Sequence, residues 1–285
     1  MKLLATVAVV LAAGSAPVRH VQVGGWTYGL AAGGGSVWAG SLTSGQVVRL
    51  SSSGKVLQRV DAGVHIFNLA AARGVVWALG NVSGTAARID ARTGKVTQTV
   101  QVGVAPYDLE WGFGSVWVAN SGDGSVWRIT NDRVVKRLTI GVEPNGLTAY
   151  AGSLWVSDHT LGKVVRIDPS TNAVVGSVAV AGADWIVGRG GSLYVSQETN
   201  RVARLDIATM KVTGSVATAR NPLGAAIVGG RLWVPCIDGN ELDVVDLATL
   251  KVVERRKEPG GPIVVLPALG HVWISHTTAN YITRL

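Results

Sequence analysis

The chain has 285 residues, 26 Lys and Arg against 18 Asp and Glu for a formal net charge of +8, and one cysteine, Cys236, which excludes an intramolecular disulfide. A positive balance favours anionic partners such as nucleic acid, acidic glycans or lipid headgroups. The basic residues are nevertheless spread along the whole chain, and Arg255-Arg256-Lys257 is too short to count as a basic arm.

Met1-Lys2, the apolar stretch Leu3 to Ala13 and the small residues Gly14-Ser15-Ala16 have the charged start, short hydrophobic region and exit of a secretory leader. The stretch is too short to span a bilayer. Later apolar runs are of strand length, so no membrane span is expected. Residues 1–16 are therefore expected to be a leader, and residues 17–285 one exported, monomeric domain.

From there an aromatic returns seven times in one local phrase, at Trp38, Trp77, Trp117, Trp155, Tyr194, Trp233 and Trp273, at intervals of 38 to 40 residues. A fixed period of this length marks a repeat architecture. Each copy holds four short β-type runs broken by Gly, Asn, Asp and Ser, which predicts an all-β, seven-bladed propeller of four-stranded blades. In the copy from Glu143 to Gly182 the strands are read as Leu147 to Tyr150, Ser153 to Ser157, Lys163 to Ile167 and Ala173 to Val180. The third strand carries Arg166, matched by Arg49, Arg88, Arg128, Arg204 and Arg284; such residues cover apolar surface with their stems and keep their charge wet. Asp90, Asp168, Asp206 and Asp246 open the following turn and are read as turn formers. The repeat aromatic is expected to be a wedge between blades with its N–H or O–H bonded. The last copy ends one strand short at Tyr281 to Leu285, and Val18 to Val23 resembles a fourth strand, so the two are expected to pair and close the ring.

The quoted phrases, with Glu143-Pro144-Asn145-Gly146-Leu147, Ser153-Leu154-Trp155-Val156-Ser157-Asp158 and Val165-Arg166-Ile167-Asp168, resemble the YVTN/YncE-like propellers and the related streptogramin B lyase (virginiamycin B lyase) family. The first resemblance implies an exported binding protein, with single-stranded DNA suggested for one branch. The second implies a magnesium-dependent elimination that opens a cyclic depsipeptide. The lyase family places a Glu and a His two residues apart before the first strand of its last blade, another His in the blade before, and a Glu just after the repeat tryptophan. Here those places hold Gly261, Ile263 and Leu223, with His276 at the end of the last tryptophan strand. The lyase activity is accordingly not carried over.

In a propeller the loops from fourth to first strands and from second to third strands share one face around the channel. The residue three after each aromatic (Ser41, Gly80, Asn120, Asp158, Gln197, Cys236, His276) and the residue ten before it (Tyr28, Phe67, Tyr107, Asn145, Asp184, Leu223, Ile263) are expected to converge there. These positions vary between copies of a constant scaffold, which is how a symmetric fold acquires an asymmetric site.

Glu143, Asn145, Asp158 and Asp184 gather three carboxylates and an amide, with His159 and Gln197 beside them and Tyr107 and Asn120 on the preceding blade. Gathered carboxylates raise one another's pKa or bind a cation. An all-oxygen set suits Mg2+ or Ca2+, with Glu143, Asp158 and Asp184 as the metal ligands. Trp26, Tyr28, Phe67, Tyr107 and Trp185 form a separate expectation, an aromatic platform on the same face for a small molecule, a peptide, a sugar or an unpaired base. The acidic surroundings disfavour nucleic acid. Cys236 and His276 occupy equivalent places on neighbouring blades, but a buried thiol is the expected role of that cysteine. The sequence thus points to a ligand or protein partner on the channel face, with a metal-dependent lyase or hydrolase and a polyanion binder as the alternatives.

Overall fold

The computed structural model describes residues 18–285; the expected leader lies outside the described residues. Seven four-stranded antiparallel sheets follow one another around a ring. Numbered from the first complete one, the blades span residues 27–61, 66–101, 106–139, 144–179, 183–217, 226–257 and 262–284. The last blade holds three strands of its own, and its fourth is Arg19–Gln22, which runs antiparallel to Tyr281–Arg284 with Val21 opposite Ile282. The ring is therefore closed as the strand count requires, and no blade presents a first-strand edge left over from the chain termini. Among the described residues no helix is long and apolar enough to cross a membrane.

The second strand of every blade is almost wholly buried, because it faces a neighbouring blade on both sides. Its aromatic wedges between sheets and fixes itself through the backbone. The indole N–H of Trp38, Trp117, Trp155 and Trp273 donates to the carbonyl five residues earlier, at 3.0 to 3.1 Å. Four of the equivalent arginines stack on these rings: Arg49, Arg128, Arg166 and Arg284 lie 5.1, 4.8, 5.4 and 5.9 Å from the ring centroids. Their role is to cover tryptophan with a planar cation, which adds attraction to the burial. The turn aspartates behave as turn formers: Asp90 and Asp246 each accept two backbone N–H groups and a threonine hydroxyl.

The strands of the type repeat extend beyond their sequence-read limits, to Pro144–Tyr150, Ser153–Asp158 and Lys163–Asp168. At the channel mouth the first strand slips register. The shift falls between Thr27 and Leu30, Ile66 and Asn68, Pro106 and Asp108, Pro144 and Leu147, Ala183 and Ile186, and Pro262 and Val265. In blade six, Pro222 bridges Cys236 and regular pairing resumes at Ala226. A bulge re-aims side chains, and here it sits where each blade meets the channel.

Candidate functional site

The bulges carry the ring that lies ten residues before each aromatic, and its members divide into an apolar and a polar side. Tyr28, Leu223 and Ile263 are buried in one cluster with Phe67 and Trp185 packed against it. Phe67 stacks on Tyr28 with centroids 3.9 Å apart and tilts against Tyr107 at 5.0 Å, while the Tyr28 and Tyr107 hydroxyls share a hydrogen bond of 2.9 Å. Burial, reinforced by Asp184 and Asp108, pushes both phenols well above the usual tyrosine range. These rings are a wall packed on itself rather than an open platform; of the five predicted aromatics only Trp26, at 49% exposure, stands clear in solvent.

The polar side is built by blades four and five. Asn145 (3% exposed) and Asp184 (9% exposed) occupy the bulges there. Gly146 leaves no room for a side chain, since a Cβ would collide with the Asp184 carbonyl. Its N–H donates to Ser157 Oγ at 2.8 Å, and the Ser157 hydroxyl donates to that same carbonyl, locking the two bulges together. His159, at the head of the loop after the second strand of blade four, bridges outward: Nδ1 lies 3.8 Å from Asp184 Oδ2 and Nε2 lies 3.1 Å from Glu198 Oε2. Burial lifts the Asp184 carboxyl to about 6; His159 and Asn145 pull it down, and Glu143 and Glu198 push it up. Desolvation thus outweighs the like-charge effect expected from the sequence. Three buried atoms here have no hydrogen-bond partner: Asn145 Oδ1, His159 Nδ1 and Asp184 Oδ1.

The other ring, three residues after each aromatic, lies inside the blades and not on the channel face. Asn120 accepts the Gly103 N–H at 3.0 Å and donates to Ser125. Asp158, fully buried, accepts the amides of Val142, Glu143 and Leu161. Gln197 donates to the Ala181 carbonyl at 2.7 Å. His276, also fully buried, sits with Nε2 3.0 Å from Glu258 Oε1 and Nδ1 3.2 Å from the Tyr281 carbonyl. All four are loop clasps, because the end of a second strand is where a blade must satisfy the amides of its own connecting loops. Asp158 is therefore held away from Asp184, and Glu143 accepts the Thr160 hydroxyl. Among the described residues no three of His, Cys, Asp and Glu come together as a group that could hold a metal ion. Cys236 contacts the Val234 carbonyl, and burial pushes its thiol up to about 12, so it is no nucleophile paired with His276.

Two acids escaped sequence reasoning. Asp108 accepts from Asn68 at 2.7 Å and from the Leu147 amide at 2.8 Å, joining the inner strands of blades two, three and four. Burial drives its carboxyl well above the usual range. Glu110, two residues on, is raised by burial to about 7. The signal was present: Asp108 and Glu110 stand where the other inner strands carry Gly, Asn, Ala, Thr or apolar residues.

No family model and no curated protein matches the sequence. Comparison with solved structures finds a streptogramin B lyase structure with a TM-score of 0.80 at 16% identity, covering 94% of this chain and 96% of that one. The chain shares the fold of streptogramin B lyase. A hydrazine synthase chain from Kuenenia stuttgartiensis superposes as well, with a TM-score of 0.80 at 15% identity over 93% of this chain and 96% of that one. BamB from Moraxella catarrhalis follows with 0.68 at 14% over 91% and 82%. Likeness at these identities carries the propeller and no activity. The site must be argued from its own residues.

Proposed function

We propose that the protein is an exported propeller that binds a ligand at the channel mouth, between the polar wall of blades four and five and the aromatic wall of blades one to three. The observation that carries this is a group of three buried polar atoms left without partners, Asn145 Oδ1, His159 Nδ1 and Asp184 Oδ1. Almost every buried polar group in a folded protein is satisfied, so three orphans in one corner mark a place completed by something else. Exposed Trp26, Val64, Val104 and Val142 on the same face supply an apolar rim for a ligand or partner wider than the channel. The leader read in residues 1–16 supports export. The acidity of the mouth speaks against nucleic acid, whose phosphates would meet Glu143, Asp184 and Glu198.

A screen of a mixed fragment library by thermal shift tests this. Hits are expected to lose their effect in Phe67→Ala or Asp184→Asn and to keep it in Phe113→Ala, which lies in a turn on the opposite face. Hits indifferent to both mouth variants would overturn the proposal.

A further inference from the structure

Two orphaned oxygens of the mouth, Asn145 Oδ1 and Asp184 Oδ1, have a common sign. A carboxylate oxygen can only accept a hydrogen bond, and an amide oxygen does the same. His159 faces two carboxylates, with Nδ1 3.8 Å from Asp184 Oδ2 and Nε2 3.1 Å from Glu198 Oε2. Asn145 Oδ1 and Asp184 Oδ1 are thus two unpartnered acceptors, and Asp184 lies close enough to the Tyr28 and Tyr107 phenols to raise them. Glu143 and Glu198 add negative potential, and among the described residues Asp184 forms no ion pair with Lys or Arg.

We propose that the channel mouth binds an organic ammonium ion, a primary amine carried on an apolar or aromatic body. This rests on the channel-face reading above and names its ligand class. A primary ammonium has three N–H donors, enough for both acceptors, one of them ionised, and such charge-assisted bonds are the strong ones. Phe67, half-buried at the mouth, offers the body an apolar surface. A metal ion fits less well, because no three ligating side chains converge and Asp158 is held by amides. A carboxylate or phosphate would face two acceptors and two further acids.

The test is isothermal titration of the protein with 2-phenylethylammonium, neutral 2-phenylethanol and anionic phenylacetate, with Mg2+ and Ca2+ as separate arms. The ammonium is expected to bind at least about tenfold more tightly than the alcohol, the minimum for hydrogen bonds to a charged group. Asp184→Asn should erase that preference without lowering the melting temperature, and the exposed Glu198→Gln should weaken it several-fold. Since burial holds the Asp184 carboxyl near 6, ammonium affinity should also fall as the pH drops from 7 to 5. Equal or tighter binding of the alcohol or of phenylacetate, lost in Phe67→Ala, would overturn the ammonium class and leave the channel-face reading standing. Binding of none of the three would overturn the ammonium class, and the fragment screen would then decide the broader reading. Binding of Mg2+ or Ca2+ that competes with the ammonium and vanishes in Asp184→Asn would replace it with a metal site.

Discussion

Two regions of the same ring use one backbone device to opposite ends. In blade seven the acid and imidazole are fully matched: His276 lies between Glu258 and the Tyr281 carbonyl, and the Thr283 hydroxyl donates to Glu258 at 2.5 Å. The bulges of blades six and seven fill the mouth with Leu223, Ile263 and Val264. In blades four and five, Asn145, His159 and Asp184 each keep a buried atom without a partner. Each such atom costs about 1 to 3 kcal/mol against a satisfied one. Three of the five such atoms among the described residues gather here, the others being Thr218 Oγ1 and Asp243 Oδ1, and local rule-breaking of this kind collects at functional sites.

The contrast can be broken from the stability side first. Deleting residues 18–24 removes the closing strand with Val21 and Val23, both buried, and is expected to lower the melting temperature by roughly 10 °C or more. An unchanged melt would contradict ring closure. Next in size, His276→Ala leaves buried Glu258 with the Thr283 hydroxyl alone and should cost about 3 kcal/mol in denaturant unfolding, with binding at the mouth intact. Loss of binding in the still-folded variant would show that the two sectors are not independent.

Asp184→Asn should act in the other direction. Its folded-state carboxyl stands at about 6 against an ordinary 3.8, so its contribution is present below about pH 4 and lost as pH rises through 6. A two-unit shift corresponds to about 3 kcal/mol, which the asparagine should recover above pH 6 and not below pH 4. Glu110→Gln should show the same sign in the window from 4.5 to about 7. Urea midpoints at pH 4 and pH 8 decide both; variants losing stability at pH 8 would mean that the carboxylates are paired in a way the geometry lacks. Smallest is Arg166→Ala, which removes the guanidinium from the Trp155 face and should cost about 0.5 to 1 kcal/mol with no change at the mouth.

The blade count, the closing strand, the bonded aromatic wedges and the turn aspartates were legible in the sequence because each repeats, and repetition averages out local ambiguity. The candidate site was legible only in part. Asn145, Asp184, Tyr28, Phe67 and Tyr107 were found because their column varies while the scaffold does not. Asn120, Asp158, Gln197 and His276 vary as much, yet they clasp loops: several polar side chains can each satisfy the amides at a strand end, so variation there does not report a site. The bulge that separates the two columns leaves no mark in the pattern of apolar residues. Asp108 and Glu110 leave no mark in the repeat, because each is an acid with no acidic counterpart in the other copies.

The most direct test of the central claim is a crystal structure of the protein with 2-phenylethylammonium. The account predicts the nitrogen within hydrogen-bond distance of Asp184 Oδ1 and Asn145 Oδ1, with the phenyl ring against Phe67 and Tyr107. A mouth in which Asn145, His159 and Asp184 are satisfied by one another, with the ammonium bound elsewhere or not at all, would contradict it.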